Sequence, residues 1–273
     1  MKKETQSNEQ EVQLRQLEKI SSFINLSGKK ILEIGCGNGD MLKLMAERYD
    51  IEYVIGIDMN LSSWWNADES KGANWEVRDG DAENLSFDDN TFDAVVSIAT
   101  FEHIYDVEKA LSEIKRVLKP FGRFYTTFWP IWTSVVGHHW STFDANGNYW
   151  NDEYMKLIPP WGHLYMNEAE MREHVQKQIN SSLVVEEMAN FIYKSSIINR
   201  RSKKYLRDAI MNSGMVVRHY AEYVNFSRKA YTGGGESELT EDIIKKISAA
   251  GYDAADIGVH GMSICLEKYN ELT

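Results

Sequence analysis

Two hydrophobic rhythms alternate along the first half of the chain. Short apolar runs at Lys30–Ile34, Tyr53–Ile57, Asn74–Val77, Ala94–Ile98 and Arg123–Phe128 predict buried strands. Between them, Asp40–Tyr49, Leu61–Asp68 and Val107–Leu118 read as helices. Ahead of this core, Glu9–Ile24 places Val12, Leu17, Ile20 and Ile24 at helical spacing, and residues 1–8 are expected to lack structure. Strands alternating with helices imply βαβ units and a parallel sheet, and right-handed crossovers put helices on both of its faces.

The alternation stops after Trp129-Pro130. Five of the eight tryptophans (Trp129, Trp132, Trp140, Trp150 and Trp161) fall between 129 and 161, beside His138, His139 and His163. This stretch reads as an insertion after the fifth strand, folded as a lid over the open end of a site, because α/β enzymes build substrate pockets from loops at that edge of the sheet. The core pattern resumes with helix Ser202–Ser213, strand Met215–Val224, a glycine hinge at Gly233–Gly235, helix Thr240–Ala250 and strand Val259–Leu266, which brings the strand count to seven. The expected organisation is an N-terminal helical segment at 1–27, a ligand-binding core at 28–128, an inserted lid at 129–200, and the rest of the core sheet at 201–273.

Composition narrows the partners. A chain of 273 residues, 43% hydrophobic and 26% charged, is that of an ordinary globule. No apolar run approaches the roughly 20 residues of a membrane helix, and Met1–Gln13 lacks a signal-peptide core. A formal net charge of −11 argues against a nucleic-acid partner. The two cysteines, Cys36 and Cys265, are too few for an iron–sulfur cluster and far apart in sequence, so the expected setting is a reducing cytoplasm. The histidines lack a metal-ligand spacing, and no metal is expected.

The chemistry concentrates in Ile31-Leu32-Glu33-Ile34-Gly35-Cys36-Gly37-Asn38-Gly39-Asp40. A buried strand runs into a glycine turn, and a second strand one βα unit later ends in Asp58, as suits a nucleoside at the carboxyl ends of parallel strands. The glycines give G-x-G-x-G. Where a dinucleotide fingerprint has its third glycine stands Asp40, whose charge repels a pyrophosphate from the helix end, and Glu33 adds to that repulsion. A cationic ligand without phosphates fits better.

With Gly80-Asp81-Ala82-Glu83-Asn84-Leu85, Phe101-Glu102-His103-Ile104 and Leu118-Lys119-Pro120-Phe121-Gly122, these segments resemble the class I S-adenosylmethionine (SAM)-dependent methyltransferases, closely over 28–128 and loosely beyond. The resemblance implies a Rossmann-like α/β fold: a seven-stranded, mostly parallel sheet with helices on both faces and the lid inserted after the fifth strand. It also implies that SAM binds and leaves as S-adenosylhomocysteine. Asp58 then takes the ribose hydroxyls, Met59 packs on the adenine, Asp81 and Ala82 address its amino edge, and Glu33 faces the methionine part. Gly35, Gly37 and Gly39 admit the ligand, and Ala99 and Thr100 lie beside the methyl group.

For the acceptor, His139, His138 and His163 are the expected proton-accepting residues, since a hydroxyl needs a base and histidine titrates near neutral pH. His103 is read as packing locally. Lys194, Arg200, Arg201, Lys203, Lys204 and Arg207 form a basic cluster, read as a solvated helix face or as a hold for an acceptor phosphate. The expected activity is methyl transfer to a small molecule, a hydroxyl of a sugar, glycan precursor or secondary metabolite. The competing readings are a SAM-binding scaffold without turnover and an NAD-dependent oxidoreductase.

Overall fold

The computed structural model describes residues 2–59, 71–140, 157–224 and 239–270. The expected helix Leu61–Asp68, Trp150 and the hinge Gly233–Gly235 lie outside the described residues. Seven strands form one sheet in the order β3-β2-β1-β4-β5-β7-β6. They are β1 (Lys30–Ile34), β2 (Tyr53–Asp58), β3 (Trp75–Asp79), β4 (Phe92–Ile98), β5 (Leu118–Phe128), β6 (Val216–Val224) and β7 (Val259–Glu267). The first five run parallel, with Leu32 opposite Ile55 on one side and Val95 on the other. Helices cover both faces, the Rossmann-like arrangement that the residue pattern implies.

The chain divides into two compact units. The first comprises Met1–Phe128, Asp208–Ala221 and Ser263–Thr273; the second comprises Trp129–Arg207 and Glu222–Met262. In the first, β1 and β4 are buried on both faces, which is why they read as unbroken apolar runs. Helix α1 (Lys2–Phe23) begins at Lys2, so it takes in residues expected to lack structure. It buries Leu17 and Ile20 but leaves Val12 exposed. It is anchored at its C-terminal end, where the Arg123 guanidinium donates to the Phe23 carbonyl over 2.7 Å and the Phe23 ring stacks on Tyr125. Helix α2 (Asp40–Arg48) buries Met41, Leu42 and Met45. Helix α3 (Val107–Val117) is capped by the Asp106 side chain, which accepts from the Lys109 N–H. Phe101–Ile104 is a turn ahead of α3 and not its first turn.

Strand β5 is longer than expected. It starts at Leu118 because Phe92 pairs with Leu118 while Ala94 pairs with Arg123; the pairing absorbs the irregular Lys119–Gly122 segment, in which Phe121 has φ 64°.

Among its described residues the inserted region carries helices and no strand, so the strand–helix alternation does stop after Trp129-Pro130. Four-residue α4 (Gly162–Tyr165) precedes α5 (Glu168–Gln176) and α6 (Ser182–Lys194). Helix α5 opens with a capping box between Asn167 and Glu170. Helix α6 is capped by Ser181 and buries Val185, Met188, Ala189 and Ile192, one helical stripe. Those two caps and that stripe were the available sequence signals, masked by the density of aromatic residues around them. Helices α7 (Lys203–Met211) and α8 (Glu241–Ala249) follow. The second unit's core gathers Trp132, Trp140 and Trp161 with Met171, Met188 and Ile192.

Candidate functional site

The sheet order sets the carboxyl ends of β3, β2, β1 and β4 side by side, and the first unit's candidate residues stand at those ends. Glu33 is the penultimate residue of β1, and Gly35–Gly39 turns the chain into α2. Two bonds hold the turn against β2: the Gly35 and Cys36 N–H groups both donate to the Ile57 carbonyl, at 2.8 and 3.1 Å. The Gly37 N–H then donates to Asp58 Oδ2 over 3.0 Å, which fixes the carboxylate at the turn. Gly35 has φ 75°, and a Cβ there would stand 2.1 Å from Thr100 Oγ1. Gly39, at φ 81°, would press on Val77. Close packing as well as backbone conformation therefore demands glycine at both positions.

Thr100 donates through Oγ1 to the Ile98 carbonyl over 2.9 Å, and its exposed neighbour Ala99 takes a left-handed conformation at φ 49°. The Gly80 N–H donates to the Asp58 carbonyl. Asp81 Oδ1 accepts from the Glu83 N–H over 2.8 Å, an Asx turn that sets the carboxylate at the end of β3, with Ala82 buried beside it. A cavity of about 50 Å³ is lined by Ile57, Asp79, Gly80, Asp81, Leu85 and Phe87, among others. Met59 is 65% exposed, unusual for a large apolar side chain following a core strand.

The electrostatics are one-sided. Glu33 is 3% exposed, and its Oε2 has no hydrogen-bond partner among the described residues. Burial, reinforced by the charges of Asp40 and Asp58, pushes its carboxyl up to about 8. Burial beside Glu33 and Asp58 raises the Cys36 thiol as well. Such a turn favours a ligand that brings positive charge and hydroxyl donors, and repels phosphate.

The candidate histidines all lie in the second unit. His138 is buried, and its Nδ1 accepts from the Trp140 N–H over 3.0 Å. His163 donates through Nε2 to the Trp132 carbonyl over 2.8 Å, which leaves Nδ1 unprotonated and without a partner among the described residues. Their rings lie 5.3 Å apart, with His163 edge-on to Trp132. Burial lowers His163 to about 4 and puts His138 well below its ordinary value, so both are neutral at pH 7. His139 is half-buried at φ 52°, with Nε2 2.6 Å from the Pro130 carbonyl. The structure thus brings His138 and His163 together and turns His139 to a different partner.

The basic cluster disperses. Arg200 donates to the Ile192 and Ser195 carbonyls, Lys203 donates to the Ala255 carbonyl, and Lys194 pairs with Glu168 at 2.9 Å.

Sequence reading missed Arg116 and Glu113. The Arg116 guanidinium reaches the carbonyls of Leu85 and Phe87, and Glu113 accepts from the Leu85 N–H. The Glu-x-x-Arg spacing on α3 was the only local signal; the partners lie 27 to 31 residues away.

Comparison with known proteins follows the same outline. Residues 32–126 match the family model described as "Methyltransferase domain". A fatty-acid O-methyltransferase of Mycolicibacterium smegmatis is 29% identical over 201 residues, which cover 72% of this chain and 64% of that protein. A malonyl-[acyl-carrier protein] O-methyltransferase of Geobacter sulfurreducens is 33% identical, over 41% of this chain and 44% of its own length. The chain thus spans less than two thirds of either relative. Among solved structures, a SAM-dependent methyltransferase from Mesorhizobium loti superposes with a TM-score of 0.52 at 15% identity, covering 90% of this chain and 94% of that one. Geranyl diphosphate C-methyltransferase from Streptomyces coelicolor gives 0.53 at 14%, covering 95% and 80%. At these identities the structural likeness concerns the fold alone. Among the described residues no helix is long and apolar enough to cross a membrane.

Proposed function

We propose that the chain is a class I SAM-dependent methyltransferase and that it methylates an oxygen of a small molecule, the hydroxyl of a sugar, glycan precursor or secondary metabolite. The observation that carries the reading is the glycine turn bonded to Asp58 beside the buried Glu33, whose Oε2 has no partner among the described residues. When bound, SAM supplies a methyl group already activated on a sulfonium. The chain's own residues then hold, orient and accept a proton.

Asp58 accepts hydrogen bonds from the two ribose hydroxyls. The exposed Met59 side chain covers one face of the adenine. Asp81 and the Ala82 N–H meet its amino edge. Glu33 faces the methionine ammonium, where positive charge relieves the cost of ionising a buried carboxyl. Gly35, Gly37 and Gly39 admit the ligand's backbone-side atoms, and Ala99 and Thr100 border the methyl group. With the methyl group supplied by the bound sulfonium, an imidazole of the inserted region would take the proton of the acceptor hydroxyl. Of His138, His139 and His163, His139 suits that role best, because it is the one of the three that is not fully buried.

A carboxylate acceptor is the second reading. The relative with 72% coverage of this chain bears the name fatty-acid O-methyltransferase, and a carboxylate needs no base.

Thermal melts of the purified chain with SAM, S-adenosylhomocysteine and NAD test the proposal. Either sulfur ligand at about 100 times its dissociation constant is expected to add about 2.7 kcal/mol of stability, and NAD none. A shift with NAD alone supports an oxidoreductase. Binding without turnover on hydroxyl and carboxylate acceptors supports a scaffold. Turnover that survives His139→Ala on a carboxylate alone favours the second reading.

A further inference from the structure

The segment between β3 and β4 carries Asp81 and has no helix or strand of its own. Its conformation is imposed from α3. Arg116 uses all five of its N–H donors there: Nε and one Nη2 bond bind both oxygens of Glu113 at 2.8 Å, the second Nη2 bond reaches the Leu85 carbonyl at 2.8 Å, and Nη1 reaches the Phe87 carbonyl at 2.7 Å and Asp89 Oδ1 at 2.9 Å. Glu113, oriented by that fork, accepts from the Leu85 N–H at 2.9 Å, so Leu85 is gripped through both its backbone groups. The same segment is tied at its start, where Glu83 Oε1 accepts from the Asp106 N–H at 2.8 Å, and at its end, where the Asn90 N–H donates to the Arg116 carbonyl. Leu85 and Phe87, the residues gripped by the fork, also form a wall of the cavity that Asp81 lines.

We propose that Arg116 and Glu113 are positioning residues for nucleobase recognition: they fix the 81–89 segment so that Asp81 and Ala82 discriminate adenine from other bases. This rests on the cofactor reading above and deepens it. Adenine offers an amino donor to Asp81 and an N1 acceptor to the Ala82 N–H. Hypoxanthine reverses both, presenting a carbonyl oxygen to the carboxylate and an N1–H to the backbone donor. Such a mismatch is rejected only while the two protein groups are held in place. Lysine has three donors on a flexible stem and reproduces the charge of Arg116 without its planar fork.

The test measures S-adenosylhomocysteine against S-inosylhomocysteine by titration calorimetry on the wild type, Arg116→Lys, Arg116→Met and Glu113→Gln. Both ligands share the ribose and amino-acid contacts, so the affinity ratio isolates the base. The wild type is expected to prefer adenine on the order of 100-fold, the effect of one or two hydrogen bonds to a charged group and its neighbour. Arg116→Met is expected to reduce the ratio to a few-fold, with Arg116→Lys and Glu113→Gln between. A folded Arg116→Met that keeps the full ratio shows a clamp serving stability alone and overturns the proposal; should that variant fail to fold, an unchanged ratio in Glu113→Gln does the same. A wild type that binds both ligands equally also overturns it. A wild type that binds neither refutes the methyl-donor reading beneath it.

Discussion

The two units bury ionisable groups of opposite kind. In the first, Glu33 sits at a turn already carrying Asp40 and Asp58, and burial with like charge holds it protonated up to about pH 8. In the second, His138 and His163 lie among tryptophans, and burial holds them neutral, His163 down to about pH 4. The first arrangement stores repulsion that a cationic ligand relieves. The histidine pair stores none at neutral pH and responds only to acid. The glycine turn is thus set to receive positive charge, whereas the histidine pair stays uncharged.

Single substitutions give the sharpest separation. Asp58→Ala is expected to weaken SAM binding by about 1.5–3 kcal/mol for each ribose hydrogen bond lost, measured by calorimetry. His139→Ala is expected to leave that affinity unchanged while lowering turnover on a hydroxyl acceptor by about 10²-fold or more. Loss of SAM affinity in His139→Ala would break the division of labour between the units.

The pH dependences come next. Because the folded pKa of Glu33 lies above its ordinary 4.5, its contribution to stability is full below about pH 4.5 and is lost as pH rises toward 8. The unfolding constant then grows by up to about tenfold per pH unit over that window. SAM binding, which favours the carboxylate, is expected to tighten over the same range. Glu33→Gln should flatten both curves in thermal melts and titrations; an unchanged slope would remove Glu33 from the site.

The smallest effect is the acid limb of the second unit. His163 has a folded pKa below its ordinary 6.5, so its contribution is present above pH 6.5 and lost as pH falls toward 4. Tryptophan fluorescence reports largely on this unit, which holds Trp129, Trp132, Trp140 and Trp161. A loosening between pH 6.5 and 4 is expected, reduced in His163→Gln, which keeps a donor for the Trp132 carbonyl but does not titrate.

The first unit was readable because its signals are local. A glycine is demanded where Thr100 packs against the turn, and Glu33 and Asp58 stand at the ends of their strands, so both leave their mark in consecutive residues. The second unit resisted because tryptophans and histidines look alike whether they pack a core or line a pocket. All three candidate histidines have backbone partners, and they differ in burial: His138 and His163 are buried, while His139 is only partly so. Within the basic cluster, Lys194, Arg200 and Lys203 similarly take separate partners, an acid for the first and backbone carbonyls for the other two.

By itself the sequence determined the sheet, its strand ends and the residues standing on them, since apolar runs and glycine turns are fixed by backbone sterics and burial over a few residues. The tertiary structure alone decided that Glu33 Oε2 has no partner among the described residues, that His138 and His163 are held neutral, and that Arg116 grips a segment some 30 residues away. Those properties depend on desolvation and on donors meeting acceptors across the fold, and neither has a period along the chain.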